Sequence, residues 1–278
     1  MRVFIAPILA IILLATGLAA RVGAQVAVPP VQLPDATRSL PSLPNIDAQP
    51  LIAVGDTLAQ VRIDRIATLL RDHRDRIELD RNEQPAVRGV LVATGIDDAM
   101  IARAAQQGFR LIDRDRIAGL DLEVARFAIP QGRSLARAQR QLVKLLPDAE
   151  VDADHLYFRS GPGGALVGAA LATTRISSGA APLGLIDGGV AAHPSVAGRV
   201  EQRGFAAGAP SASRHGTAVA SLLIGEGAVR GSAPGRRLAA ADVYGSDPAG
   251  GNASAIARAL GWLAESGVAV TTISLVGP

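Results

Sequence analysis

Hydrophobic positions recur along this chain in two rhythms, and the change from one to the other divides it. Between Val87 and Phe158, short apolar runs alternate with amphipathic stretches. Val87 to Thr94 reads as a strand. Asp97 and Asp98 cap a helix running to about Gln107, which Gly108 ends. Phe109 to Asp113 and Leu122 to Ile129 read as two more strands, the second closed by Pro130. Ser134 caps another helix, with Leu135, Ala138, Leu142 and Leu145 on one face. Glu150 to Asp154 completes the set. The order β-α-β-β-α-β is that of a ferredoxin-like split βαβ unit and predicts an α+β domain over residues 83–160.

Beyond Pro182 the rhythm becomes strand and helix in turn. Leu183 to Ile186 is a wholly apolar short strand, and His215 to Ile224 a helix. Leu238 to Tyr244 is a second buried strand. Asn252 caps a helix through Ile256, Leu260 and Leu263 that stops at Gly267, and Val268 to Leu275 is a third strand. This alternation predicts an α/β domain over residues 183–278, with a parallel sheet and helices on its faces. Small residues around Ser160–Gly164 and Ser177–Pro182 mark residues 161–182 as the linker between the two halves.

The N-terminal part is organised differently. Arg2, the apolar run Val3 to Ala20, and the small residues at Val22–Ala24 predict an export signal over residues 1–24. Residues 25–54 carry six of the 17 prolines and read as an extended linker. Asp56 to Leu79, within a segment of residues 55–82, reads as a helix, with Ile63, Ile66, Leu70 and Ile77 at helical spacing.

Composition narrows the chemistry. Cysteine is absent, which removes disulfides, thiolate metal sites and cysteine nucleophiles together. Aromatics make up only 3% of the chain, so its cores must be built from Ala, Val, Leu and Ile. The net charge of +3 is carried by arginines that alternate with acids, as in Arg71 to Arg81. That pattern fits an ion-paired solvated face rather than a nucleic-acid stripe, and no nucleic-acid partner is expected. Gly225 to Gly231 resembles a phosphate loop in composition. It follows a helix and opens none, so it reads as a turn.

Two positions could carry chemistry. Asp187 ends a buried strand and precedes two glycines, at the strand end where α/β sheets open their crevices. It could equally be an aspartate that starts a turn. His215 opens a helix, where the imidazole tends to rest neutral and able to accept a proton. It could equally be a solvated capping residue. His73, His155 and His193 have no comparable setting and read as surface residues.

Taken with their flanks, the two blocks resemble the subtilisin-like serine peptidases. Leu183 to Gly189 is similar to the family's apolar strand ending in D-[ST]-G, with Gly188 in place of the hydroxyl residue. His215-Gly-Thr-Ala-Val-Ala-Ser221 is similar to H-G-T-x-V-A-G and departs from it at Ser221. Gly231 to Tyr244 resembles the G-x-A-P segment and the strand after it, and Ala259 to Pro278 resembles the helix and strand that lead to S-L-G-G-P.

The resemblance implies a secreted or cell-envelope serine endopeptidase precursor acting on polypeptides. Asp187 would orient the imidazole, and His215 would act as general base and then general acid. Ser274, Leu275, Val276 and Gly277 would hold the substrate backbone. The earlier α+β domain would be an intramolecular pro-domain, a folding aid whose tail blocks the cleft, cleaved somewhere between Tyr157 and Pro182. No membrane association is expected after signal removal. No cofactor is implied; relatives often hold structural calcium, but no acidic cluster here requires it. The G-T-S-x-A nucleophile block and the oxyanion-hole segment have no counterpart in the 278 residues, so the expectation is an N-terminal portion that is inactive by itself. A nucleophile-less peptide-binding or peptidase-inhibitory module is the alternative.

Overall fold

The computed structural model describes residues 49–160, 181–228 and 230–277. The export signal, most of the proline-rich linker and nearly all of the 161–182 linker lie outside the described residues. Those that are described all belong to one unit, Gln49–Pro278.

The first half of the described chain carries three helices and a five-stranded antiparallel sheet. Its elements are α1 (Gln49–Asp72), β1 (Ile77–Leu79), β2 (Pro85–Thr94), α2 (Asp98–Gln106), β3 (Arg110–Ile117), β4 (Leu122–Ala128), α3 (Leu135–Leu145), β5 (Glu150–His155) and β6 (Phe158–Arg159). β2 lies between β4 and β5, and β3 pairs with the far side of β4, every pairing antiparallel. The β-α-β-β-α-β order expected from the hydrophobic rhythm is therefore present from β2 to β5. Asp97 caps α2 by accepting from the Met100 amide at 2.7 Å. Leu135, Ala138 and Leu142 of α3, with Leu146 just beyond it, are fully buried against Leu91, Ala93, Phe127 and Ala153 of the sheet. Each such large side chain contributes roughly 1.5–3 kcal/mol through the apolar surface it hides.

The second half is the parallel α/β layer. It comprises β7 (Leu183–Asp187), β8 (Val200–Gly204), α4 (Arg214–Ile224), β9 (Leu238–Asp242), α5 (Ala253–Glu265), β10 (Thr271–Ile273) and β11 (Leu275–Val276). Four strands pair in parallel in the order β10-β7-β9-β8. β9 is buried along its whole length, which is why its sequence, LAAAD, shows no alternation. One face packs Ile186, Ala239, Ala241 and Val243 against α5. The other packs Leu185, Leu238 and Ala240 against Ala220 and Ile224 of α4.

Three expectations need correction. The helix read over Asp56 to Leu79 is instead α1, which begins at Gln49 and so takes in part of the expected 25–54 linker. It ends at Asp72, and Ile77 to Leu79 form β1, paired with Val87 to Pro85. Ile77 does sit at helical spacing. A strand register that buries it completely outweighs the local periodicity, and the turn after it is closed by Asp80, whose Oδ1 accepts from the Asn82 and Gln84 amides at 2.7 and 2.8 Å. The strand read as Val268 to Leu275 divides at Ser274 into β10, in the parallel sheet, and β11, which leaves it to pair with β6. His155 is not a surface residue: its Nε2 lies 3.1 Å from the buried Asp80 carboxylate.

Candidate active site

Asp187 is the last residue of β7, level with Asp242 at the end of the neighbouring β9. Both carboxylates are fully buried and both hold backbone. Asp242 accepts from the Ser211, Tyr244 and Gly245 amides at 2.7–3.0 Å, tying the loop before α4 to the loop after β9. Asp187 Oδ1 accepts from the Gly188 amide at 2.6 Å. The two strand ends are thus fixed before any side chain arrives from α4.

α4 is aimed at that point by its N-terminus. Ser213 caps it, its Oγ accepting from the Gly216 amide at 2.9 Å. Thr217 Oγ1 donates to the Ser213 carbonyl at 2.7 Å and accepts from the Ala191 amide at 2.9 Å, clamping the loop after Asp187 to the helix. Gly216 lies directly on the Gly188 carbonyl, where a Cβ would clash. This contact is the physical reason for glycine and threonine directly after the histidine. Sequence reading quoted both residues without seeing that they join the two blocks.

Asp187 and His215, 28 positions apart, meet: His215 Nδ1 donates to Asp187 Oδ2 at 2.6 Å. The other ring nitrogen, Nε2, is 2.6 Å from the carbonyl oxygen of Ser160. A carbonyl can only accept, so Nε2 is the donor in this contact. Burial pushes the Asp187 carboxyl above the usual carboxylate range. The Gly188 hydrogen bond, the His215 and Arg159 charges and the His215 hydrogen bond pull the other way. The pair is a buried carboxylate facing an imidazole that is partly open to solvent on its far side.

The four residues read as a peptide-holding segment reach the same place through Ser160. β11 pairs antiparallel with β6, Leu275 opposite Arg159 and Val276 opposite Phe158. The Ser160 amide donates to the Ser274 carbonyl at 3.1 Å, and the Ser160 and Ser274 hydroxyls are 2.8 Å apart. Gly277 packs on the Tyr157 ring, and its carbonyl accepts from Arg62 of α1 at 2.9 Å. On the other side of the tail, the Tyr157 amide donates to the Gly251 carbonyl at 2.8 Å. Residues Leu156 to Ser160 therefore run as an extended strand between two backbone rails, and end at the imidazole. Sequence reading missed Arg159, Ser160 and Tyr244. The only signal for the first two was their place directly after the last strand of the α+β domain.

Residues 179–277 match the family model described as the subtilase family, peptidase S8. The matched segment contains Asp187, His215 and Ser274 to Gly277, and it does not include the α+β domain.

Two solved structures resemble the chain at low identity. One is the epidermin leader peptide processing serine protease of Staphylococcus aureus, at 14% identity and a TM-score of 0.46, covering 66% of this chain and 50% of that one. The other is fervidolysin from Fervidobacterium pennivorans, described as a keratinolytic enzyme related to subtilisin, at 14% identity and a TM-score of 0.48, covering 68% of this chain and 36% of that one. The chain thus spans half or less of the length of either structure. No curated protein sequence matches it.

One cluster outside the subtilase segment has the residue types of a metal site. Asp80, Asp152 and His155 bring one ligand atom each within 4.8 Å of one another. The imidazole, however, turns Nε2 to Asp80 at 3.1 Å and Nδ1 toward Asp152 at 3.9 Å. One ion cannot use both ring nitrogens, and the arrangement is that of an imidazole lying between two carboxylates. Among the described residues, no helix is long and apolar enough to cross a membrane.

Proposed function

We propose that this chain is the N-terminal portion of an exported serine endopeptidase precursor of the subtilase type. Asp187 orients His215 and stabilises its charged form. His215 Nε2 takes the proton of a serine hydroxyl as that hydroxyl attacks a peptide carbonyl, then returns it to the departing amine. The single observation carrying this reading is the line Asp187–His215–Ser160: a 2.6 Å bond to each ring nitrogen, the second to a peptide carbonyl lying in an extended strand. Backbone pairing of that strand with Ser274 to Val276 is β-strand addition, which grips a peptide through its amides whatever its sequence.

In this reading, residues 83–160 are the pro-domain, and its tail sits in the cleft as the first substrate. Cleavage follows Ser160. The export signal over residues 1–24 takes the precursor to the cell envelope or beyond it. The nucleophile and the oxyanion-hole amide come from residues outside these 278, which hold no G-T-S-x-A block. The occupied cleft also favours a second reading, a nucleophile-less module that binds peptides through Ser274 to Gly277.

One experiment separates the two. The coding sequence is expressed as read beyond residue 278, and the product is assayed for hydrolysis of unfolded protein and for labelling by a serine-directed phosphonate. Hydrolysis with labelling is expected, falling about 10⁴-fold in kcat for Asp187→Asn and about 10⁶-fold for His215→Ala. The 278-residue chain itself should not label. A longer product that folds, binds peptides and neither labels nor cleaves would leave the binding module standing instead.

A further inference from the structure

We propose that the cleft contains a side-chain site selective for arginine, built from Asp187, Gly188 and Tyr244, so that the preferred substrates carry arginine immediately before the residue whose carbonyl is attacked. The inference rests on the peptidase reading above and deepens it by naming a substrate class. Arg159 is the occupant in this chain.

Strand geometry separates Arg159 from its neighbours. Along β6 successive side chains point to opposite sides. Ser160 meets Ser274, whereas Arg159 turns toward the end of β7. Its guanidinium carbon lies 4.1 Å from the centre of the Tyr244 ring, a stacked cation–π contact. Its buried Nε faces Asp187 Oδ1 at 3.9 Å. Tyr244 is a fixed platform: its ring is nearly buried, its amide is held by Asp242 at 2.9 Å, and Gly251 presses against the ring edge.

Gly188 completes the site by what it lacks. A Cβ there would come within 2.9 Å of Arg159 Nη2, and also within 2.6 Å of Ser213 Oγ. The hydroxyl residue that the D-[ST]-G pattern puts at this position would stand where the guanidinium lies. The space that Gly188 leaves open is shared by the Ser213 hydroxyl and the Arg159 guanidinium. Lysine offers no plane to stack on Tyr244 and concentrates its charge at one strongly hydrated point, so it fits this site less well.

Two measurements test the proposal. In the 278-residue chain, hydrogen exchange at the Ser160 amide reports docking of the tail, because that amide donates to Ser274. Arg159→Ala should speed its exchange about tenfold or more, and Arg159→Lys should recover only part of the protection. Wild-type protection at Ser160 in Arg159→Ala would overturn the site.

The second uses the longer product and four peptides, Leu-Tyr-Phe-Xaa-Ser joined to a chromogenic amine, with Xaa as Arg, Lys, norleucine or Ala. The arginine peptide should have the highest kcat/KM, about tenfold over norleucine, and Tyr244→Leu should bring the two to parity. Equal hydrolysis of all four by the unmodified product would overturn the arginine site and leave the peptidase standing. Hydrolysis of none by a product that labels and cleaves unfolded protein would overturn the site alone; hydrolysis of none with neither labelling nor cleavage would remove the peptidase reading and the site with it.

Discussion

At the scale of single residues, the site is held by side chains that do no chemistry. Thr217 bonds both the Ser213 carbonyl and the Ala191 amide, and so ties the Asp187 loop to the histidine helix. Thr217→Val keeps the shape and removes both bonds. It is expected to lower the unfolding free energy of the 278-residue chain by about 1–2 kcal/mol, read from denaturant unfolding. An unchanged midpoint would mean that the glycine contact alone sets the distance between the blocks. The identity of Asp187 and His215 as candidates was legible because each sits beside an element boundary that the sequence marks clearly. Arg159 was not legible. It is one arginine among many, and only its register opposite Leu275 gives it a partner.

At the scale of elements, the two halves meet where a strand of one holds the first turn of a helix of the other. Asp154 of β5 is fully buried and accepts from both the amide and the hydroxyl of Ser254, each at 2.9 Å, in the first turn of α5. Removing the carboxylate leaves those donors buried without an acceptor. Asp154→Ala should therefore cost about 2 kcal/mol, and Asp154→Asn clearly less.

Opposite shifts at buried carboxyls make stability depend on pH in the acid range. Burial raises the Asp154 carboxyl above its ordinary value against the pull of the Ser254 bonds, so its ionisation opposes folding. Stability from this group is lost as pH rises from the ordinary aspartate value through the raised one. Asp80 is the reverse: burial pushes it up, but the bonds from Gln84, His155 and Asn82 outweigh that and hold it low. Its contribution is present above the ordinary value and is lost as pH falls through the lowered one. Unfolding measured across the acid range should show Asp154→Asn weakening the first slope, to which the raised Asp187 carboxyl also contributes, and Asp80→Asn removing the second; identical slopes in all three proteins would contradict both assignments. Most elements from β2 to α5 were readable because period and cap agreed, as at Asp97 with α2 and Asn252 with α5. Reading failed at Ile77 and Ser274. At both positions a long-range pairing decides the structure and local periodicity points elsewhere.

At the scale of the whole molecule, a parallel sheet displays two strand ends, and an extended tail lies across them. α1 backs that tail: Ile66, Leu69 and Leu70 pack with Leu156 and Phe158, and Arg65 lies over the Phe158 ring at 4.9 Å. Val270, Ile273 and Val276 are exposed at and beside the β10 edge, an apolar surface that would be covered by further pairing. The sequence carried the class of this layer in its unalternating strands, but not the crossing of the tail, which depends on β6 meeting β11. The claim on which everything rests is that Asp187, the His215 ring and the Ser160 carbonyl form one line of hydrogen bonds. Nitrogen-edited NMR of the His215 ring in the 278-residue chain tests it most directly. The account predicts two slowly exchanging ring N–H protons, the Nδ1 proton strongly deshielded and lost in Asp187→Asn while the Nε2 proton persists. A ring with a single proton, unaltered by Asp187→Asn, would contradict it.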